Sequence, residues 1–252
     1  MSRVWNLIKL LAFGLLTLGT MAGVVLARGL TLGRNGNFLR WKNRILTGWA
    51  SGCFTIFGLR LTVEGNPPKG PFILVSNHLS YLDVVPLWYL TDATFVAKQE
   101  LSGWAFFGWA MRRLEVIFID RANIRDLPRV NREIARHLDL GEGIIFFPEG
   151  TSTKGDKIHP FNAPLLHYAA RNRHPVHYVS IGYKTRDPEK PASRYVCWWG
   201  DMDFIGHFMD FITLRRVEIT LRFGEEPVVS GDRKNLAEEL ENNVSRLFEP
   251  IG

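Results

Sequence analysis

The chain of 252 residues lacks the features that mark several common classes of protein. Its two cysteines, Cys53 and Cys197, cannot build a disulfide framework and do not have the spacing of a zinc site, which favours a reducing compartment. The sequence contains no internal repeat and no low-complexity tract, so neither a solenoid nor a disordered region is expected. With 46% hydrophobic residues, the chain can form one catalytic domain with an appendage.

Acidic residues are absent from the N-terminal quarter of the chain. No aspartate or glutamate occurs before Glu64, although eight lysines and arginines do. The formal charge of +6 therefore belongs to this segment, and the rest of the chain is slightly acidic. That distribution argues against a nucleic-acid partner, whose binding surface would lie on the folded domain. A segment that is both basic and apolar instead suits an anionic membrane surface.

Two apolar stretches lie in this basic segment. Leu10–Ala27 is uncharged and 18 residues long, near the lower limit for crossing a bilayer, and a cleaved signal peptide is the alternative interpretation. Ile45–Leu59 is too short to cross, and it is predicted to lie at the membrane interface, to pack on the domain, or both. Aromatic and basic residues in and before it fit an interfacial helix: Arg40, Trp41, Lys42, Arg44, Trp49, Phe54 and Phe57. We predict membrane-associated helices over residues 1–65 and a catalytic domain over residues 66–252.

The pattern changes after the turn at Gly65–Gly70, where short β-rich runs begin to alternate with helical ones. Strands are predicted at Phe72–Ser76, Thr94–Ala97, Val116–Ile119, Ile144–Phe147, Val176–Ile181 and Val217–Phe223. Helices are predicted at Trp104–Leu114, Arg125–Leu140, Ala163–Asn172 and Lys234–Phe248, the last of them capped by Asp232. Strands that alternate with helices predict an α/β domain built around a largely buried sheet.

A histidine and an aspartate follow the first of these strands. His78 and Asp83 lie five residues apart, where the active sites of α/β sheets usually occur. A neutral imidazole can take a proton from an alcohol, while a carboxylate on its other nitrogen fixes the tautomer. The pair is therefore a candidate general-base dyad; the alternative is a capping aspartate beside an ordinary histidine at a strand end.

Polar residues also follow three other strands. Arg121 could form paired hydrogen bonds with a phosphate, Lys98 could add a second positive charge, and the turn at Gly150–Ser152 could offer backbone amides to the same anion. Each has a structural alternative, since Arg121 could pair with Glu149 or Asp120 and Lys98 could simply be solvated. Four strand ends that deliver such groups to one edge favour a site for a phosphate-bearing substrate.

Three segments in this order resemble the motifs of the 1-acyl-sn-glycerol-3-phosphate acyltransferase family. They are Asn77-His78-Leu79-Ser80-Tyr81-Leu82-Asp83, Val116-Ile117-Phe118-Ile119-Asp120-Arg121 and Phe146-Phe147-Pro148-Glu149-Gly150-Thr151. The resemblance covers roughly Gly70 to Phe223. Two positions depart from the family pattern: Tyr178 stands in place of a common proline, and Ser152 follows Thr151 where many members have arginine. These departures leave the acceptor more open than the reaction type.

The resemblance implies a glycerolipid-acyltransferase fold, with a mixed, mostly parallel sheet flanked by helices and an N-terminal pair of membrane-anchoring helices. It implies that a fatty acyl group passes from acyl-CoA or acyl carrier protein to the sn-2 hydroxyl of lysophosphatidic acid, which makes phosphatidic acid for phospholipid biosynthesis. No metal or further cofactor is implied. The implied roles are general base for His78, orientation of that base for Asp83, and phosphate binding for Lys98, Arg121, Glu149, Gly150 and Thr151.

Three other functions remain open from the sequence. The acceptor could be another lyso-lipid, such as lyso-ornithine lipid or a lysophospholipid. A lipid hydrolase or transacylase could use His78 with water or with Ser80, and a catalytically silent lipid-binding protein would use neither. The dense basic flank after Arg28 predicts that the catalytic domain lies on the cytoplasmic face of a bacterial inner membrane.

Overall fold

A seven-stranded sheet forms the centre of the computed structural model, which describes residues 3–120 and 123–251. The strands are β1 (Leu59–Glu64), β2 (Ile73–Ser76), β3 (Ala93–Lys98), β4 (Ile117–Ile119), β5 (Gly143–Phe146), β6 (Val176–Thr185) and β7 (Val217–Phe223). Their order in the sheet is β1-β7-β6-β2-β5-β3-β4. Only the β6–β7 pairing is antiparallel among these neighbours, which confirms the predicted mixed, mostly parallel sheet.

Helices cover both faces of this sheet. They are α1 (Arg3–Leu30), α2 (Asn35–Phe57), α3 (Val84–Leu90), α4 (Ala105–Arg113), α5 (Leu127–Asp139), α6 (His167–Asn172), α7 (Ala192–Tyr195), α8 (Phe204–Phe211) and α9 (Arg233–Leu247). Short 3₁₀ turns lie at Tyr81–Asp83, Gln99–Gly103, Ile124–Asp126 and Ala163–Leu166. As predicted, Asp232 caps the last helix, because its side chain accepts hydrogen bonds from the amides of Lys234 and Asn235.

The two faces of the sheet bury different helices, because successive side chains of a strand point to opposite sides. Leu74 and Ile145 pack with residues of α1, α2, α3, α4 and α8. Ile73, Val75 and Ile144 pack with residues of α5, α6 and α9 on the other side. The N-terminal helices are therefore part of one face of the domain.

Buried charged side chains fix these two helices to the domain. Lys9 of α1 donates hydrogen bonds to the carbonyl oxygens of Ile212 and Leu214, at 3.2 and 2.7 Å. The Lys42 ammonium of α2 lies 2.7 Å from Oε1 of Glu142, and both side chains are almost completely buried. Burial alone would raise the pKa of Glu142, but the charge of Lys42 holds this pKa below its usual value.

The outward face of α1 is apolar along its length. Exposed apolar side chains recur at helical spacing: Val4, Leu7, Ile8, Leu11, Leu15, Leu18, Leu26 and Leu30. By length and composition α1 is able to cross a membrane, and it extends beyond the predicted stretch Leu10–Ala27 at both ends. Its inward face packs on α2, whose own buried face includes Phe38, Leu46 and Phe57.

Strand β1 was not predicted from the sequence. The strand lies at the edge of the sheet, and most of its residues are exposed, so its sequence contains no continuous apolar run. It nevertheless pairs in parallel with β7 from Leu59 to Glu64. The boundary expected at residue 65 stays a prediction, although this strand on its N-terminal side belongs to the sheet. Helices α3, α7 and α8 were also missed, because each is too short for helical periodicity to emerge.

Candidate active site

Four parallel strands deliver the candidate residues to one edge of the sheet. Strands β2, β5, β3 and β4 are neighbours and run in the same direction, so their carboxyl ends meet. His78 follows β2, exposed Lys98 ends β3, and Glu149 follows β5. Arg121 follows β4 in sequence but lies outside the described residues. Ligands of α/β sheets usually bind at such an edge.

The 3₁₀ turn at Tyr81–Asp83 brings His78 and Asp83 together. Nδ1 of His78 lies 2.7 Å from Oδ2 of Asp83. The Asp83 side chain is completely buried, whereas 23% of the His78 side chain is exposed. The contact predicted from the five-residue spacing therefore exists, with the carboxylate inside and the imidazole at the surface of the site.

The donors around Asp83 determine the tautomer of the imidazole. Oδ2 accepts hydrogen bonds from the amides of Leu79 and Ser80 at 2.8 and 3.1 Å, and Oδ1 accepts one from the Tyr183 hydroxyl at 2.7 Å. A carboxyl group that receives only donors is an ionised acceptor, so Nδ1 of His78 carries the proton. Nε2 then holds a lone pair, and in residues 3–120 and 123–251 no hydrogen-bond partner occupies it. The ring is oriented as a general base.

Aromatic stacking and backbone hydrogen bonds hold the imidazole in this orientation. The His78 ring stacks on Phe147, with ring centroids 4.2 Å apart and planes 13° apart. Phe147 in turn stacks on Phe95 of β3. The His78 carbonyl accepts a hydrogen bond from the amide of Thr153 at 2.9 Å. Neighbouring strand ends thus restrict both the ring and the backbone of His78.

Glu149 directs its carboxylate inward, onto the backbone. Oε1 accepts a hydrogen bond from the His78 amide at 2.7 Å, and Oε2 accepts one from the His159 amide at 2.9 Å. Burial raises the pKa of Glu149 to about 7, although these two hydrogen bonds oppose the shift. Gly150 turns the chain with φ +80°, and Thr151 is exposed. Phosphate binding by these three residues stays a prediction. The two hydrogen bonds of Glu149 hold the backbone of the loop that carries His78.

The raised pKa of Glu149 predicts a pH-dependent contribution to stability. The folded state binds more protons than the unfolded state between pH 4.5 and about 7, so this contribution falls as pH rises through that window. The lost stability is about 3 kcal/mol for a group that is this well buried. Glu149→Gln removes the titrating group. As the pH rises from 4.5 to about 7, the free energy of unfolding of the wild type minus that of the variant should therefore fall by this amount. Chemical denaturation in detergent at several pH values measures it, and a difference that stays constant or grows contradicts the assignment.

Ser80 is not placed to act as a nucleophile. The residue is completely buried. A serine nucleophile needs an accessible oxygen and an adjacent base. We therefore expect Ser80→Ala to retain most of the acyl-transfer activity, measured as kcat with a fixed thioester donor. Loss of activity in a correctly folded variant would instead support an acyl-serine intermediate.

A cluster of aromatic side chains adjoins the dyad. Tyr81, three residues after His78, packs its ring 6.0 Å from Trp198 and 5.0 Å from Phe204. Phe204 continues the cluster to Trp104 and Phe107, which are partly exposed. The Trp198 amide donates to the Leu79 carbonyl and so ties this cluster to the dyad loop. An apolar surface beside a general base suits a substrate with an acyl chain.

Sequence patterns missed two residues that support the site. Tyr183 lies 100 residues from Asp83 in the chain, and their hydrogen bond exists only because β6 lies beside β2. Asn77 extends the same β2–β6 pairing, since its side chain exchanges two hydrogen bonds with the backbone of Ile181. An asparagine at the end of a buried strand could have indicated this contact, because a buried side-chain amide requires hydrogen-bond partners.

Comparisons with known proteins agree with this geometry. A family model described as Acyltransferase matches residues 60–184. Lyso-ornithine lipid O-acyltransferase of Brucella abortus is 32% identical over 223 residues, which cover 83% of this chain and 83% of that protein. The protein of the same name from Rhodobacter capsulatus is 31% identical over 81% of this chain and 75% of its own length. A 1-acyl-sn-glycerol-3-phosphate acyltransferase of Neisseria gonorrhoeae is 24% identical over 84% of each chain.

The fold has a counterpart among solved structures. The crystal structure of the 1-acyl-sn-glycerophosphate acyltransferase PlsC from Thermotoga maritima superposes with a TM-score of 0.67 over 98% of each chain, at 24% sequence identity. This likeness confirms the fold expected from the sequence motifs. The sequence matches, which extend over most of the chain, show that it belongs to the acyltransferase family.

Proposed function

We propose that this protein is a lyso-lipid O-acyltransferase, in which His78 acts as the general base. The observation that carries the proposal is the 2.7 Å contact between Nδ1 of His78 and the buried carboxylate of Asp83, whose other partners are hydrogen-bond donors and which therefore favours a proton on Nδ1. This arrangement prepares the ring to accept a proton from a hydroxyl group. The adjoining aromatic cluster supports an acceptor that carries an acyl chain.

The reaction that fits these residues is direct transfer. Nε2 of His78 takes the proton of the acceptor hydroxyl as its oxygen attacks the carbonyl carbon of an acyl thioester. The resulting tetrahedral oxyanion collapses, the carbon–sulfur bond breaks, and the thiolate leaves with the bonding electrons. The proton held on His78 can then pass to the thiolate, so that the products are an ester and a free thiol and the enzyme returns to its starting state. Acyl-CoA or acyl carrier protein is the proposed donor.

Lyso-ornithine lipid is the acceptor that we favour. Among relatives of similar coverage, those named lyso-ornithine lipid O-acyltransferase are more similar to this chain than those named 1-acyl-sn-glycerol-3-phosphate acyltransferase. The ornithine group carries an ammonium and a carboxylate, whereas lysophosphatidic acid carries a phosphate with up to two negative charges. Ser152, where many family members have arginine, is consistent with the smaller demand for cations. Lysophosphatidic acid is the second candidate, because the motifs around His78 and Glu149 are shared with its acyltransferases.

We further propose that the protein works at the inner membrane of a bacterium, with its site on the cytoplasmic side. The exposed apolar stripe of α1 and the basic residues that follow it support membrane association. A lipid acceptor would then approach from the bilayer and the thioester donor from water.

Purified protein in detergent should be tested with labelled acyl-CoA and acyl carrier protein against lyso-ornithine lipid, lysophosphatidic acid and lysophosphatidylcholine. A reaction without acceptor controls for hydrolysis. Transfer to lyso-ornithine lipid at the highest kcat/KM supports the favoured acceptor, and preference for lysophosphatidic acid assigns the second. Release of free fatty acid without an acceptor would indicate a hydrolase, and the absence of any transfer would overturn the proposal.

A further inference from the structure

The turn between α1 and α2 contains an open cavity far from the dyad. Its volume is about 610 Å³, and it is lined by Leu30, Thr31, Leu32, Arg34, Asn37, Arg40, Trp41 and Arg44. Beside this turn, Arg28 pairs with Glu115 and Lys42 pairs with Glu142, two acids that precede β4 and β5. The cavity therefore lies toward the amino ends of these strands, whereas the dyad lies at the carboxyl ends. It is distinct from the acceptor site.

Three exposed arginines line this cavity. Arg34, Arg40 and Arg44 are exposed, and among the described residues none of them forms an ion pair. Arg40 and Arg44 are one helical turn apart, so their like charges repel. The nearby acids are already engaged: Glu115 pairs with Arg28 and Arg136, and Glu142 with Lys42 and His137. The cavity thus has an excess of positive charge that an external anion would neutralise.

Apolar side chains line the same cavity. Leu30 and Leu32 are 72% and 87% exposed, and Trp41 is 53% exposed. Leu32 adopts φ +46°, a left-handed conformation that is unfavourable for a leucine, and this turn presents its side chain outward. Leu30 continues the apolar stripe of α1. An anion that binds here therefore meets hydrocarbon surface on one side and guanidinium groups on the other.

We infer that this cavity binds the phosphate of an anionic phospholipid, separately from the acyl acceptor. The guanidinium groups of Arg34, Arg40 and Arg44 would contact the phosphate, and the indole of Trp41 would lie at the level of the headgroup. Leu30 and Leu32 would contact the acyl chains. Free phosphate shares the charge chemistry but gains nothing from the two exposed leucines.

The test compares binding of the full chain to vesicles of phosphatidylcholine with and without phosphatidylglycerol. The variant Arg34→Gln/Arg40→Gln/Arg44→Gln should bind the anionic vesicles about 100-fold more weakly, since each basic residue near such a surface contributes a factor of about five. Binding to phosphatidylcholine alone should change little. A matched variant, Arg132→Gln/Arg171→Gln/Arg246→Gln, removes the same charge from exposed positions on α5, α6 and α9, across the sheet, and should bind nearly as the wild type does.

Short-chain phosphatidylglycerol and inorganic phosphate, titrated into the protein in detergent, distinguish the two sources of phosphate. We expect the lipid to bind saturably with one molecule per chain, and binding to weaken at least tenfold in the first variant. Equal loss in both variants would overturn the inference, because it would indicate a diffuse charge effect. Equal affinity for inorganic phosphate would overturn the lipid assignment. These readouts do not depend on catalysis, so they can fail while the proposed function stands.

Discussion

Replacement of His78 by alanine is expected to lower kcat for acyl transfer by a factor of about 10³, within the range that a positioned general base contributes. The acceptor hydroxyl would then have to lose its proton to water. His78 stacks on Phe147 at the surface of the site, and within residues 3–120 and 123–251 its ring hydrogen-bonds to Asp83 alone, so its removal should disturb the fold little. Single-turnover kinetics with labelled thioester measure the loss, and the melting temperature checks the fold.

His174→Ala is the matched control for this variant. His174 precedes β6, at the amino end of the parallel strands, and its recorded side-chain contacts are with its own loop and Tyr168. We expect kcat within about twofold of the wild type, since no catalytic step uses this ring. If His78→Ala kept more than a tenth of the wild-type rate, general-base catalysis by His78 would be excluded.

Asp83→Asn should reduce kcat by up to about 10³-fold, the loss expected for His78→Ala, because Asp83 acts through that ring; the same change in a serine-protease triad costs about 10⁴-fold. The buried carboxylate of Asp83 accepts four hydrogen bonds, and an asparagine side chain in its place would turn two donors toward some of these groups. An amide directed at Nδ1 of His78 forces the proton onto Nε2, where it blocks the base. Unpaired backbone amides should also lower the free energy of unfolding by about 1 to 3 kcal/mol each.

Tyr183→Phe is the comparison variant for Asp83→Asn. It distinguishes an effect on the orientation of His78 from an effect on the stability of the fold. It removes one donor to Asp83 but leaves the carboxylate and the tautomer of His78 intact. We expect kcat to fall by less than about tenfold, because the lost hydrogen bond stabilises Asp83 in the ground state and the transition state alike, so most of its energy appears in the stability of the fold. If both variants lost activity to the same extent, Asp83 would act mainly as a packing residue and not through the tautomer.

Local features of this fold could be predicted from the sequence. The buried strands are short runs of β-branched and apolar residues, and Asp232 indicates the start of the last helix. The His78–Asp83 contact was also predictable, since a single 3₁₀ turn closes it. Each of these features depends on residues that are neighbours in the chain.

Features that depend on distant segments could not be predicted. Nothing near Tyr183 in the sequence indicates that its hydroxyl reaches Asp83, because that contact requires the β6–β2 pairing. The motif around Glu149 indicated its place at the site, but its inward orientation depends on amides contributed by two separate loops. Strand β1 was missed because an exposed edge strand is stabilised mainly by hydrogen bonds to its partner. That partner is β7, which lies more than 150 residues away in the chain.

The buried pair of Lys42 and Glu142 bears on how this enzyme can be engineered. A shortened protein without α1 and α2 would lose the Lys42 ammonium that pairs with Glu142, and loss of one partner of a buried pair costs about 3 to 5 kcal/mol while the other stays buried, from a total that is commonly 5 to 15. It would also expose the face of the sheet that includes Leu74 and Ile145. Removal of α1 and α2 is therefore not a route to a smaller catalytic core, because the rest of the domain packs against them.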